Sequence, residues 1–147
     1  MRRAHAPLRL LGMLWTLPNS LLGLLAGLAA LPFGARPYLL RREPALAFAR
    51  MPWGPGGALT LGNVILHTGD GLDVACRTYA CHAGLSADPP IRLRDHERAH
   101  VWQAMLLGPL FLPLYFLCGG IHVRNRFERA ADRYALTGRG WWPWPRP

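Results

Sequence analysis

The chain has 147 residues, of which 51% are hydrophobic and 17% are charged. This length favours a single domain, and the high apolar content excludes an intrinsically disordered chain. All 17 basic residues are arginines, and they outnumber the acidic residues to give a net charge of +9. A phosphate-binding surface normally mixes lysine with arginine, and no nucleic-acid-binding motif occurs in the chain. We therefore expect no nucleic-acid partner.

An uncharged run of 26 residues, positions 10–35, lies near the start of the chain between clusters of arginines. A membrane-spanning helix needs about 20 apolar residues, whereas a cleavable signal peptide has an apolar core of roughly 7–15. The run therefore predicts a retained membrane-anchoring helix in contact with lipid, bent near Pro18. A cleaved signal peptide and a soluble core helix are the alternatives. Residues 36–57, rich in Pro, Gly and Arg, read as a juxtamembrane linker, which places the anchoring part in residues 1–50.

The middle of the chain predicts a β-hairpin. Residues 58–68 and 72–79 are rich in β-forming side chains, and a Gly-Asp-Gly loop separates them. A three-residue loop with two glycines is typical of a hairpin turn.

Two helices are expected further along the chain. The first begins at Asp88, which is followed by a proline, and runs to Leu107, where a Gly-Pro pair ends it. The second runs from Asn125 to Gly138. Residues 101–123 form a second uncharged stretch, which either enters a membrane or is buried in the protein core.

The first of these helices contains the sequence His96-Glu97-Arg98-Ala99-His100. Residues four apart lie on one helix face, so both imidazoles can reach the same Zn²⁺ ion. Glu97 then lies near the metal without facing it, in the position of a general base. The alternative is an exposed helix with two surface histidines. Gln103 lies on the same face as His100 and is a candidate to contact a ligand or the substrate.

A catalytic zinc ion takes three protein ligands and leaves one position for water, so a third ligand is expected downstream. Glu128 is the candidate, and Asp132, one helical turn later, can orient a histidine through its second ring nitrogen. The alternative for Glu128 is a capping box with Asn125. Four of the chain's eight acidic residues lie in these two short motifs or directly before them, namely Asp95, Glu97, Glu128 and Asp132. This concentration favours the metal site.

The segments HERAH and NRFERAADRYA resemble the gluzincin metallopeptidases, and most of all the membrane-bound heat-shock and prenyl-protein peptidases, whose third-ligand helix reads E-x-x-A-D. Residues 60–132, together with the N-terminal anchor, also resemble a group of small uncharacterised bacterial membrane proteins. The first resemblance implies that His96, His100 and Glu128 are zinc ligands and that Glu97 is the general base. The chain is far shorter than those peptidases.

The sequence thus predicts an α+β fold with an N-terminal membrane-anchoring helix, a β-hairpin and a helical, zincin-like metal-binding core within residues 51–147. The expected function is that of a zinc-dependent metallopeptidase-like hydrolase acting on a peptide or protein, anchored in a bacterial inner membrane. The alternative is a non-catalytic membrane protein whose metal site is structural or vestigial.

Overall fold

A computed structural model describes residues 6–54 and 56–144 and shows an α+β fold. The helices are α1 (Ala6–Trp15), α2 (Leu17–Ala30), α3 (Tyr79–His82), α4 (Leu93–Leu107), α5 (Phe111–Leu117) and α6 (Arg126–Thr137), with 3-10 turns at Leu31–Phe33 and Gly108–Leu110. The strands are β1 (Arg36–Leu39), β2 (Leu46–Ala49), β3 (Ala58–Leu61), β4 (Val64–His67), β5 (Ala75–Cys76) and β6 (Ile91–Arg92).

Four strands form a mixed sheet in the order β1-β2-β4-β3. The β2–β4 pair is parallel and the other two pairs are antiparallel. Residues 36–57 are therefore not a linker, because β1 and β2 lie within them and belong to the same sheet as β3 and β4. The boundary expected at residue 50 passes through this sheet.

The predicted pairing of residues 58–68 with residues 72–79 is wrong. The first segment folds back on itself as the β3–β4 hairpin, turning at Gly62, which has a φ of 64°. The second segment contributes only β5, which pairs with β6. A Gly-Asn pair between two β-forming runs is itself a hairpin signal, and it lies within the run that was expected to be one strand.

The first predicted helix begins later than expected, at Leu93 rather than Asp88. The Asp88 carboxylate accepts hydrogen bonds from the hydroxyls of Thr78 and Ser86, and the two residues before Leu93 pair with β5. The predicted end at Leu107 is confirmed. The helix expected between Asn125 and Gly138 is also confirmed, since α6 lies between these two cap residues.

The sheet is covered on both faces. Helix α2 covers one face, where Ala30 packs in a core with Phe48 and Val64. Gly27 permits this approach, because a Cβ atom there would lie 2.4 Å from the Phe48 ring. Helix α4 covers the other face through Val101, in a second core. Helices α1 and α2 also reach past the sheet to α4 and the turn that follows it, where the Asn19 side chain donates a hydrogen bond of 2.7 Å to the carbonyl of Gly108.

The uncharged N-terminal run forms two helices bent by 70°. The break falls at Thr16, and Pro18 lies in the first turn of α2, where its missing N–H leaves no hydrogen bond unmade. Within the described part of the chain, helices α4 and α5 and the turn between them form a continuous helical segment, Leu93–Leu117. This segment is long and apolar enough to cross a membrane. A buried core helix of a soluble protein can have the same length and composition. In Leu93–Leu117, 39% of the most apolar stretch is buried inside the protein.

Candidate metal centre

Helices α4 and α6 pack side by side and bring the two sequence motifs together. Their contact is close because Ala99 on α4 and Ala131 on α6 are small and fully buried. His96 and His100 project from α4 toward Glu128 on α6, and all three side chains are buried.

Three potential ligand atoms meet at one point. The Nε2 atom of His96 lies 3.2 Å from the Nε2 atom of His100. The Oε2 atom of Glu128 lies 3.0 Å from the first nitrogen and 3.2 Å from the second. This buried group could hold a metal ion.

Each histidine is held by a partner on its other ring nitrogen. The Nδ1 atom of His96 lies 2.9 Å from Oδ1 of Asp132, and the Nδ1 atom of His100 lies 2.8 Å from Oε1 of Gln103. Gln103 is fully buried and donates in turn to the carbonyl of Trp141 at 2.7 Å. When Nδ1 donates to these acceptors, the lone pair of each Nε2 faces the centre of the cluster, as a metal ligand requires.

Glu128 faces the histidines and does not cap α6. Its second oxygen, Oε1, accepts a short hydrogen bond from the hydroxyl of Tyr115. The cap is made by Asn125 alone, whose side chain accepts a hydrogen bond from the Phe127 backbone N–H at 2.9 Å. The capping-box alternative for Glu128 is therefore not what the structure shows.

The charges around the cluster favour a cation. Burial by itself lowers the pKa of His96, but its hydrogen bonds with Asp132 and Glu128 outweigh burial and raise the pKa to about 10. Burial raises the pKa of Glu128, but the charges and hydrogen bonds of His100 and His96 hold it far below its usual range. Positive charge between these side chains is thus stabilised by the carboxylates around it.

Glu97 lies beside the cluster, on the side that faces strand β3. It is 3% exposed, and its Oε2 atom accepts a hydrogen bond of 2.5 Å from the hydroxyl of Thr60. The hydroxyl joins the sheet to α4 and fixes the direction of the Glu97 carboxylate.

The cluster forms the floor of a cavity of about 590 Å³. Its walls are mainly apolar and come from β3, α5 and the residues around α3; they include Leu59, Leu61, Phe111, Phe116 and Ile121. A mostly apolar cavity with a few converging polar groups is the usual form of a ligand-binding site. The space beside Glu97 and the three candidate ligands can therefore take a substrate.

Some of the other tyrosine and histidine side chains line the cavity, and others lie outside it. Tyr115 lines the cavity and contacts Glu128. Tyr134 contacts Arg98 with its hydroxyl, and His122 is exposed and accepts from the Arg124 backbone; neither lines the cavity. His67 is buried away from it and pairs with the Tyr38 hydroxyl at 2.8 Å.

Two residues of the site had no signal in the sequence. Thr60 lies in a strand, 37 residues before Glu97, and Tyr79 lies in the single turn of α3 and also lines the cavity. Neither belongs to a motif with helical spacing, and only the pairing of distant elements brings them to α4.

Comparisons of the chain with protein-family models, with curated proteins and with solved structures gave no match. The resemblance to gluzincin metallopeptidases therefore stays an expectation that rests on the two motifs.

Proposed function

We propose that this protein is a membrane-anchored, zinc-dependent metallopeptidase-like hydrolase. The observation that carries the proposal is the convergence of His96 Nε2, His100 Nε2 and Glu128 Oε2 within 3.0–3.2 Å of one another. Glu97 lies beside this cluster, and a cavity opens above it.

The three atoms suit zinc in number and spacing. Ligands about 2.0–2.1 Å from a tetrahedral zinc ion lie about 3.3 Å from each other, close to the separations in the cluster. The cluster found among the described residues has three members. Catalytic zinc sites have three protein ligands and structural sites have four, so the donor set supports a catalytic site.

Zinc bound here would polarise the carbonyl of a substrate and lower the pKa of a water molecule to about 7. Glu97 would accept a proton from the attacking water as the water oxygen adds to the carbonyl carbon of the substrate. Glu97 then passes the proton to the amine as the carbon–nitrogen bond breaks. The hydrogen bond from the Thr60 hydroxyl would hold the Glu97 carboxylate in one orientation during both proton transfers.

The position of β3 favours a peptide as the substrate. It is one of the two edge strands of the sheet, and its residues 58–61 line the cavity beside Glu97. An edge strand presents backbone N–H and C=O groups that can pair with an extended peptide. The apolar walls of the cavity favour apolar side chains in that peptide.

The outer surface of the N-terminal helix pair supports attachment to a membrane. Its large apolar side chains are 39–67% exposed; they are Leu8, Leu10, Leu11, Leu14, Trp15, Leu17, Leu21, Leu22, Leu25, Leu28, Leu31 and Phe33. Its inner surface is made of small and polar residues such as Gly23, Gly27 and Asn19, which pack on the protein. An exposed apolar surface of this extent marks a membrane or protein contact.

The bend determines how such an anchor lies. Helices α1 and α2 have 10 and 14 residues, so they are about 15 and 21 Å long, shorter than the roughly 30 Å hydrocarbon core. In our proposal the pair enters one leaflet rather than crossing the bilayer as a straight helix.

The test of the hydrolase is Glu97→Gln, which keeps the shape of the side chain but cannot accept the proton. We expect zinc content and folding to be unchanged, while cleavage of fluorescein-labelled casein by the detergent-purified protein falls by about 10²–10⁴-fold. Asp95→Asn, on the same helix but in an ion pair with Arg98, is the matched control. Equal cleavage by the zinc-loaded Gln variant and the wild type would exclude Glu97 as the general base. Absence of cleavage by the zinc-loaded wild type would favour the second candidate, a non-catalytic protein with a structural metal site.

A further inference from the structure

The backbone of Tyr79 is hydrogen-bonded to a residue of the candidate metal centre. The carboxylate of Asp132 has two oxygens, and each holds a different group. Oδ1 lies 2.9 Å from Nδ1 of His96, while Oδ2 accepts the Tyr79 backbone N–H at 2.7 Å. The Asp132 carboxylate therefore orients the His96 ring and also fixes the position of the Tyr79 backbone.

The ring of Tyr79 lies over that same ligand. It stacks on the imidazole of His96 with 6.0 Å between ring centroids and 28° between ring planes. The side chain lines the cavity above the cluster, and its hydroxyl has no hydrogen-bond partner among the side chains and backbone groups of residues 6–54 and 56–144. A phenol has a pKa near 10, so this group is a donor at neutral pH.

The other hydroxyl donors near the cavity floor are already engaged. Tyr115 donates to Glu128, and Thr60 donates to Glu97. Both contacts fix groups of the protein itself. Tyr79 is the hydroxyl that remains open to a molecule bound in the cavity.

We infer that Tyr79 donates a hydrogen bond to the carbonyl oxygen of the substrate, where negative charge develops as water adds to the carbon. The inference rests on the proposed hydrolase function and assigns the group that stabilises the oxyanion. Donors aimed at that oxygen act strongly because water is excluded from such a site. Asp132 is then a positioning residue for both His96 and Tyr79.

The test compares Tyr79→Phe with Tyr38→Phe in the zinc-loaded protein, using labelled casein. The Tyr38 hydroxyl contacts His67, outside the cavity, so that variant removes a tyrosine hydroxyl without touching the site. Loss of one oxyanion donor lowers kcat by about 10²–10³-fold, and we expect KM to change by less than about threefold, because the interaction forms mainly in the transition state. Zinc content and the circular dichroism spectrum should match those of the wild type.

A second measurement needs no turnover. A dipeptide phosphonamidate presents a tetrahedral oxyanion, and Tyr79→Phe should weaken its binding by at least about tenfold, while Tyr38→Phe should not. Wild-type kcat and wild-type phosphonamidate affinity in Tyr79→Phe would overturn the assignment of Tyr79 and leave the hydrolase proposal standing. Absence of hydrolysis by the zinc-loaded wild type would overturn both.

Discussion

The Nδ1 atom of His96 lies 2.9 Å from the Oδ1 atom of Asp132, although the two residues are 36 positions apart. The contact joins α4 to α6 inside the protein, where both side chains are buried. When His96 is neutral, as a metal ligand must be, this contact places the proton on Nδ1 and directs the lone pair of Nε2 toward His100 and Glu128. The metal affinity of the cluster should therefore depend on a residue that is not itself a candidate ligand.

We expect Asp132→Asn to weaken zinc binding by about 10–100-fold, the usual effect of removing a group that orients a metal-bound histidine. The amide is nearly the same size but has no charge and only one acceptor oxygen, so it cannot hold both His96 and Tyr79. Zinc affinity is measured by competition with a chelator of known affinity. Asp73→Asn, an exposed carboxylate paired with Arg94, is the control. An unchanged affinity in the Asp132 variant would mean that the contact does not serve the site.

The Thr60→Val variant tests whether the Thr60 hydroxyl orients the Glu97 carboxylate. Valine has nearly the shape of threonine but cannot donate the 2.5 Å hydrogen bond to the Glu97 carboxylate. A hydrogen bond to a charged group contributes about 1.5 kcal/mol, so cleavage of labelled casein should fall by roughly tenfold with zinc content unchanged. Thr68→Val, an exposed threonine outside the cavity, should cleave at the wild-type rate. A Thr60 variant as active as the wild type would exclude this role.

The sequence predicted the parts of the site that depend on local spacing. His96, Glu97 and His100 lie on one helix, as do Glu128 and Asp132, because residues three or four apart share a helix face. The ends of α6 were predictable because Asn125 and Gly138 are typical cap residues. The structure brings these residues together in one cluster.

Pairing between distant segments was not predictable in the same way. Short runs of β-forming residues do not specify their partners, so the sequence alone does not show that the hairpin turns at residues 62–63 rather than at the Gly-Asp-Gly loop. Strands β1 and β2 are four residues each, and they are hidden among prolines and arginines. Thr60 and Tyr79 reach the site only through such long-range contacts, and no spacing rule points to them.

The stability of the fold should fall in acid because of Glu43. This carboxylate is 6% exposed and accepts hydrogen bonds from Arg94 at 3.0 Å and from Arg98 at 2.7 Å. Burial by itself raises the pKa of Glu43, but the two arginines outweigh burial and hold the pKa below 4.5, its usual value. A carboxylate with a lowered pKa stabilises the fold above its unfolded-state pKa, and this contribution is lost as the pH falls through the folded-state pKa.

Glu43→Gln removes the ion pairs at every pH. At neutral pH it should lower the free energy of unfolding by about 3 kcal/mol, because two arginines lose their buried partner. Below about pH 4.5 the difference from the wild type should shrink. Urea unfolding in detergent at several pH values measures both effects. Asp70→Asn, which affects only an exposed pair with Arg50, should leave the stability essentially unchanged at every pH. A constant difference at all pH values would contradict the assignment.

Membrane attachment should depend on the outer face of α2. Replacing Leu21, Leu25 and Leu28 with serine removes three exposed side chains, each of which contributes about 1.5 kcal/mol or more when buried in lipid. Partition onto vesicles of mixed phosphatidylethanolamine and phosphatidylglycerol should fall by at least about a hundredfold. The control is the pair Leu39→Ser and Leu85→Ser, which are more exposed than the three leucines of α2 but lie outside the N-terminal helices. Tight binding by the α2 variant would show that this face is not the anchor.

The most direct test of the account is the zinc content of purified protein, compared between the wild type and Glu128→Ala. The cluster of His96, His100 and Glu128 predicts about one zinc ion per chain in the wild type. The Ala variant loses one of three ligands and should lose most of its zinc, while α6 stays capped by Asn125 and the protein remains folded. Full zinc retention by Glu128→Ala, or a wild type that binds no zinc, would contradict the metal centre proposed for this protein.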